Sequence, residues 1–215
     1  MSILKGEHAK VVTIFGTVTV PSGAQSRSAY LARPDLGGEW PTILVMTGEH
    51  GITSPVKEIC RRLARQGFAV IAPESVFSFP DLERYEAYIA NPAADWSNAE
   101  YGYGLLSLPA AREDAVIVAG TGRQVEALAV VDLPADLDAL GRVAVPTVAL
   151  LSGDAVDSAT VDQARQAAPR TGWVVYRGVT DDWWDDGGEG WDDEVATDAL
   201  TRMSEFFAQH LPPAH

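Results

Sequence analysis

PTILVMTGEHGITSPVKEICRRLARQGFAVIAPE, from Pro41 to Glu74, decides the fold. Thr42 to Thr47 is a continuous apolar run after a proline. A strand that is apolar at successive positions is buried on both faces, as in a parallel sheet. Ser54 is a good helix N-cap and Pro55 suits the first helical position. Val56, Ile59, Cys60, Leu63 and Ala64 then recur at helical spacing, so one side of this helix is apolar. Arg61, Arg62 and Arg65 fall elsewhere around it, and Gly67 supplies the stop. Phe68 to Ala72 reads as a second buried strand, ended by Pro73. Strand, helix and strand within about thirty residues make a βαβ unit with a right-handed crossover.

Upstream, Val11 to Val20 is rich in β-branched residues and reads as a strand, and Ser28 to Ala32 as a second, ended by Arg33-Pro34. Downstream, Thr147 to Leu151 and Gly172 to Tyr176 read as strands, with a helix over Asp157 to Ala168 between them. A terminal helix lies within Trp191 to Leu211, with Ala199, Leu200, Met203, Phe206, Phe207 and Leu211 on one side. Asp81 to Ala90 reads as a short helix. Asn91 to Gly104 reads as a surface loop leaning over a site, with Trp96, Tyr101 and Tyr103 among glycine and asparagine; Tyr103 is therefore a candidate ligand contact. No repeat or linker divides the chain. The expectation is one α/β domain over residues 1–215, a mostly parallel sheet with helices on both faces.

The net charge of −14 over 215 residues repels nucleic acid and anionic membranes and favours neutral or cationic small partners. Met1 to Lys10 is polar and unlike a signal peptide, and no apolar run is long enough to span a bilayer. One cysteine, Cys60, forms no internal disulfide, which fits a reducing cytoplasm. No Cys/His cluster has zinc spacing and no Gly-rich phosphate loop follows a strand. The expectations are a cytoplasmic protein, a small-molecule substrate or ligand, no cofactor and no metal; the oligomeric state stays open.

Several segments together resemble the dienelactone hydrolase family of α/β hydrolases. SAYLARP at Ser28–Pro34 resembles a family strand, and PTILVMTGEHGI at Pro41–Ile52 its apolar strand running into a glycine turn. VKEICRRLARQGFAVIAPE at Val56–Glu74 is the strongest match. VPTVALLSGD at Val145–Asp154 resembles a later strand. VVYRGVTDDW at Val174–Trp183 resembles the family's histidine segment, with Asp181 at the histidine's place and Trp183 at a phenylalanine's. The resemblance implies an α/β-hydrolase fold, shortened around the nucleophile turn. It covers most of the chain except Trp96 to Asp132.

The departures concern the chemistry. The family's nucleophile sits on a strand-to-helix turn, G-x-[CS]-x-G. One register puts Thr121 there, within Ala119-Gly120-Thr121-Gly122-Arg123, where both flanking glycines are replaced. The other makes Pro109 to Ala119 a helix and Val125 to Val131 the central strand, so that turn and helix are deleted. Both lose the nucleophile. Asp181 is a poor base beside an imidazole at neutral pH. The family's acid corresponds to Asp154 or Asp157. His50, just after a buried strand, is the histidine placed where open α/β sheets bind ligands, with Glu49 beside it; alternatively it packs on a neighbour or caps the next helix. Asp154, Asp157 and Asp181 either cluster to raise one carboxyl's pKa or are solvated loop acids. Trp183, Trp184 and Trp191, in the acidic loop Thr180 to Glu194, either roof an apolar ligand or pack on the body. A calcium frame starting at Asp182 fails because Trp184 stands where an oxygen ligand is needed. Cys60 is a core residue.

Three functions fit. The first is a repurposed enzyme using His50, Glu49 and the carboxylates for acid/base chemistry on a small, largely apolar carbonyl, lactone, enol or polyketide-like compound. The second is a catalytically inactive α/β-hydrolase-fold binding protein. The third is a weak ester or lactone hydrolase using Thr121.

Overall fold

A computed structural model describes residues 11–22, 25–74, 102–121 and 124–211. For residues 20–22, 25–27 and 50 the description extends to the backbone alone. The strands are β1 (Thr13–Ser22), β2 (Gln25–Pro34), β3 (Thr42–Met46), β4 (Ala69–Pro73), β5 (Tyr103–Ser107), β6 (Val125–Val131), β7 (Thr147–Ser152) and β8 (Thr171–Tyr176). The helices are α1 (Ser54–Arg65), α2 (Arg112–Thr121), α3 (Leu137–Arg142), α4 (Ser158–Ala167) and α5 (Asp193–His210). The strands form one sheet in the order β1-β2-β4-β3-β5-β6-β7-β8. β1 and β2 pair antiparallel, as do β2 and β4, and every other pairing is parallel. This is a single-domain α/β fold.

Alternation along the central strands builds two cores. Ile43, Val45, Leu106 and Ala129 face α1 and α5, meeting Val56, Leu63, Met203 and Phe207. Their sequence neighbours Leu44, Met46, Leu105 and Leu128 face α2 and α3, meeting Ala115, Val116 and Leu140. Each fully buried aliphatic contributes about 1.5–3 kcal/mol over leaving it in water. Helix α1 is amphipathic as its spacing predicts, with Val56, Ile59, Cys60, Leu63 and Ala64 buried. Its N-cap is Thr53 rather than Ser54, so Pro55 falls one position further in. Gly67 follows its end at φ +98°, a conformation that suits glycine.

Two expectations change. Tyr103 and Gly104 are not loop residues; they open β5, which is buried throughout. Gly104 reads locally as a breaker, but a Cβ there would sit 2.6 Å from the Phe207 ring, so its small size lets α5 press onto the sheet. The central strand is therefore β5, between β3 and β6, and Val125–Val131 is its neighbour. The helix after the central strand is not deleted: Pro109–Ala111 forms a single 3₁₀ turn that runs into α2. The helix expected over Asp81 to Ala90 and most of the loop to Gly104 lie outside the described residues.

Candidate functional site

The carboxyl ends of the parallel strands are where this kind of sheet binds ligands. Two turns meet there. After β3 the chain makes a 3₁₀ turn, Gly48–His50. After β5 it reads Ser107-Leu108-Pro109-Ala110-Ala111 and enters α2. Leu108 N donates to Met46 O at 3.0 Å and ties the second turn to β3. Gly48, at φ +63°, is backed directly by Ala110.

The β5–α2 turn is the strand-to-helix corner at the centre of the sheet. Its spacing is small-x-Pro-x-small, with Pro109 at the middle position. Proline offers neither a side-chain nucleophile nor an N–H. Nor is the corner strained: Leu108 has φ −84° and ψ 163°, and Arg112 is helical. Among the described residues the one non-glycine at positive φ is Asp132, at 74°, just past β6. Its carboxylate accepts from Leu133 N at 2.7 Å and pairs with Arg112 at 3.2 Å, while Arg112 donates to Pro109 O at 2.8 Å. Ser107 is buried and donates to Leu108 O at 3.0 Å.

The polar candidates are dispersed. Thr121 closes α2 on the surface and donates to Ile117 O at 2.8 Å, so it does not stand on a strand-to-helix turn. Asp154 is exposed and accepts from Gly178 N at 3.2 Å. Asp157 caps α4, accepting from Thr160 N at 2.7 Å, and that N–H holds its carboxyl below the usual range. Asp181 and Glu49 are exposed. The backbone of His50 ends the turn that touches Ala110. Cys60 is sealed in the core, and burial pushes its thiol up to about 12. Among the described residues no group of three or more His, Cys, Asp or Glu is placed to hold a metal. No helix among them is long and apolar enough to cross a membrane.

A shallow, nearly filled cleft, with about 20 Å³ of free space, lies beside the β5–α2 turn, between α1 and α5. Leu106, Leu108 and Val131 form its floor, Ile59 and Met203 its walls, and Trp183, Trp184 and Trp191 its roof. Trp183 is 2% exposed and its ring centroid lies 5.4 Å from that of Tyr176. The loop is pinned by Asp182, which accepts from Gly190 N at 3.0 Å and Thr180 Oγ1 at 2.8 Å. Among the described residues Glu58, Arg62 and Asp186 are the ionisable side chains lining the cleft; Glu49, Asp154, Asp157, Asp181 and Thr121 do not line it. Tyr103 is fully buried at the amino end of β5, on the opposite core. Sequence reasoning missed Pro109. The signal for Pro109 was the apolar run Leu105-Leu106 followed by a small residue, a proline two places on and an alanine two beyond that.

Residues 28–81 match the dienelactone hydrolase family. A Yersinia pestis protein assigned as a carboxymethylenebutenolidase is 39% identical over 71 residues, which cover 33% of this chain and 27% of that one. A Methylorubrum extorquens protein with the same assignment is 43% identical over 61 residues, 28% of this chain and 21% of its own. The matched stretch thus spans about a quarter of these relatives' length. In three dimensions, the crystal structure of a Klebsiella pneumoniae protein assigned as a dienelactone hydrolase superposes with a TM-score of 0.79 at 21% identity, over 93% of this chain and 100% of that one. A dienelactone hydrolase from Anabaena variabilis superposes at 0.74 with 14% identity, over 93% and 99%. At such identities the likeness is one of fold.

Proposed function

We propose that this chain, which belongs to the dienelactone hydrolase family, binds a small apolar molecule in the tryptophan-roofed cleft and has given up covalent hydrolysis. Pro109 at the middle of the β5–α2 turn carries this reading. Acyl transfer through such a turn needs a hydroxyl or thiol there and a base within reach. Pro109 supplies no nucleophile, and Asp181, exposed at the position that resembles the family's histidine, is no substitute for imidazole. Loss of the nucleophile alone costs about a million-fold in turnover. The cleft has about 20 Å³ of free space, so a ligand enters by displacing the half-buried Trp184, and the apolar lining then holds it by burial.

The purified chain is tested with 4-nitrophenyl acetate and with a fluorophosphonate probe. The expected result is no burst and no adduct, together with saturable binding of the neutral fluorophore N-phenyl-1-naphthylamine that weakens about tenfold in Trp184→Ala. A covalent adduct mapped to any Ser, Thr or Cys would overturn the reading.

A second reading is an enzyme that moves protons through His50 and Glu49. It draws support from the contact of the Gly48–His50 turn with Ala110, which brings both residues' backbone to the β5–α2 corner. Lactones and enol lactones incubated with the chain and followed by NMR would show turnover that His50→Ala abolishes. Turnover indifferent to that substitution would rule it out.

A further inference from the structure

Strand β1 is an edge strand without the usual protection. It pairs with β2 over ten residues with no break in register, and among the described residues nothing pairs with its other side. Open edges are ordinarily guarded by charge, proline, a bulge or a covering element. Val11 to Ser22 carries no ionisable residue, in a chain of net −14, and its one proline, Pro21, stands near the far end. Apolar exposure is concentrated here too. Among the described residues Val12, Ile14, Phe15 and Leu36 are four of the five large apolar side chains that stand exposed. Leu36 adjoins the edge, because Asp35 N donates to Val12 O at 2.7 Å.

That bond also fixes which backbone groups are spare. In an antiparallel pair, alternate residues spend both N–H and C=O on the neighbouring strand. Val12 bonds inward to the β2 side, so Ile14, Gly16 and Val18 do the same. Pro34, which has no N–H, lies opposite Thr13, as a pair that exchanges no bonds requires. Thr13, Phe15, Thr17 and Thr19 therefore turn their N–H and C=O groups away from β2. These four are symmetric about Gly16. Laid antiparallel against itself, the strand sets Thr13 opposite Thr19 and Phe15 opposite Thr17 on both sides of a twofold axis, with about eight hydrogen bonds between the copies. Glycine meets glycine at the axis, where no side chain holds the backbones apart and the space around Gly16 is open. Charge does not oppose the pairing locally: Arg61, 5.4 Å from the Phe15 ring, is already paired with Glu58 at 2.7 Å.

We propose that β1 pairs with β1 of a second copy of this chain, antiparallel about Gly16, joining two eight-stranded sheets into one. The contact is small. Seven residues at about 3.4 Å each, on a sheet about 10 Å thick, offer on the order of 240 Å² per copy. A standard interface buries about 800 Å² per partner, so this dimer is weak, with a Kd on the order of 100 μM. The net −14 of each copy repels the other at long range, so added salt tightens the dimer instead of loosening it.

Sedimentation equilibrium of the full chain, from micromolar to millimolar concentration, tests this. A monomer–dimer equilibrium that tightens with salt is expected. Thr13→Glu/Thr19→Glu sets like charges opposite each other and is expected to raise Kd more than tenfold. Thr13→Glu/Thr19→Lys sets opposite charges in the same register and is expected to keep Kd within about threefold of the parent chain. Amide exchange followed by NMR on the unaltered chain gives a reading that needs no variant. Protection of the Thr13, Phe15, Thr17 and Thr19 amides is expected to rise with protein concentration, while that of Ile14 and Gly16 stays constant. A chain that remains monomeric at millimolar concentration overturns the proposal. So does a dimer indifferent to Thr13→Glu/Thr19→Glu, or exchange at those four amides that is independent of concentration.

Discussion

Gly48 and Ala110 lie so close that a Cβ on the first would sit 2.5 Å from the carbonyl oxygen of the second. The contact locks the β3–α1 turn against the β5–α2 turn, backbone to backbone, so neither gives way cheaply. Gly48→Ala adds this clash to the strain of an L-residue at φ +63°. A loss of about 2–4 kcal/mol is expected, read from urea denaturation midpoints. An unchanged midpoint would mean the two turns are not in contact in solution.

Trp183 and Trp184 are adjacent but differ in what they hold. Trp183 is buried against Tyr176, so Trp183→Ala is expected to cost about 3–5 kcal/mol of stability. Trp184 is half-buried at the cleft. Its removal is expected to cost less than half as much and to register mainly in ligand affinity. Denaturation curves and fluorophore titrations on both variants separate the two roles.

Pro109→Ser installs a hydroxyl at the centre of the β5–α2 turn. Among the described side chains no imidazole stands at this corner, so the hydroxyl is expected to stay inert and the variant to show no burst with 4-nitrophenyl acetate. A burst from this single change would reveal a working base near the corner.

Cys60 is sealed between α1 and the sheet, and its thiol is pushed up to about 12. Ellman's reagent at pH 8 is expected to leave it untouched in the folded chain and to titrate one thiol in denaturant. Prompt reaction in the native state would mean that α1 detaches readily.

Asp157 and Asp182 each have a folded-state pKa below the ordinary 3.8, held down first by the backbone N–H of Thr160 and of Gly190 respectively. A depressed carboxyl stabilises the fold above its ordinary value, and that contribution is lost as pH falls through the lower, folded value. Stability is therefore expected to drop as pH falls below about 4. Asp157→Asn retains a capping oxygen, so it should flatten that decline while keeping α4 capped. Stability profiles of both chains across this range make the comparison, and an equal decline in the two would remove Asp157 from the account.

Much of the fold was legible because its signals are local. Within Pro41–Glu74 the apolar run, the proline, the helical spacing and the glycine stop lie within a few residues of one another, and each is read by its own periodicity. The same holds for α5, whose apolar stripe ends in Phe206-Phe207. β5 escaped because Gly104 looks like a breaker until Phe207, about a hundred residues away, is seen lying against it. The acids behave likewise. Asp154, Asp157 and Asp181 follow strands as expected, but two of them are spent on nearby backbone N–H groups, a choice made by loop geometry that residue type does not announce.

Taken alone, the sequence determined a mostly parallel α/β sheet and the buried helix face that carries Cys60; short-range periodicity and residue chemistry suffice for these. The tertiary structure decided which strand is central, that Pro109 stands at its helix corner, and that three tryptophans and an arginine-bearing helix share one groove. Those depend on strand order and on packing between residues far apart in the chain, where no local pattern reaches.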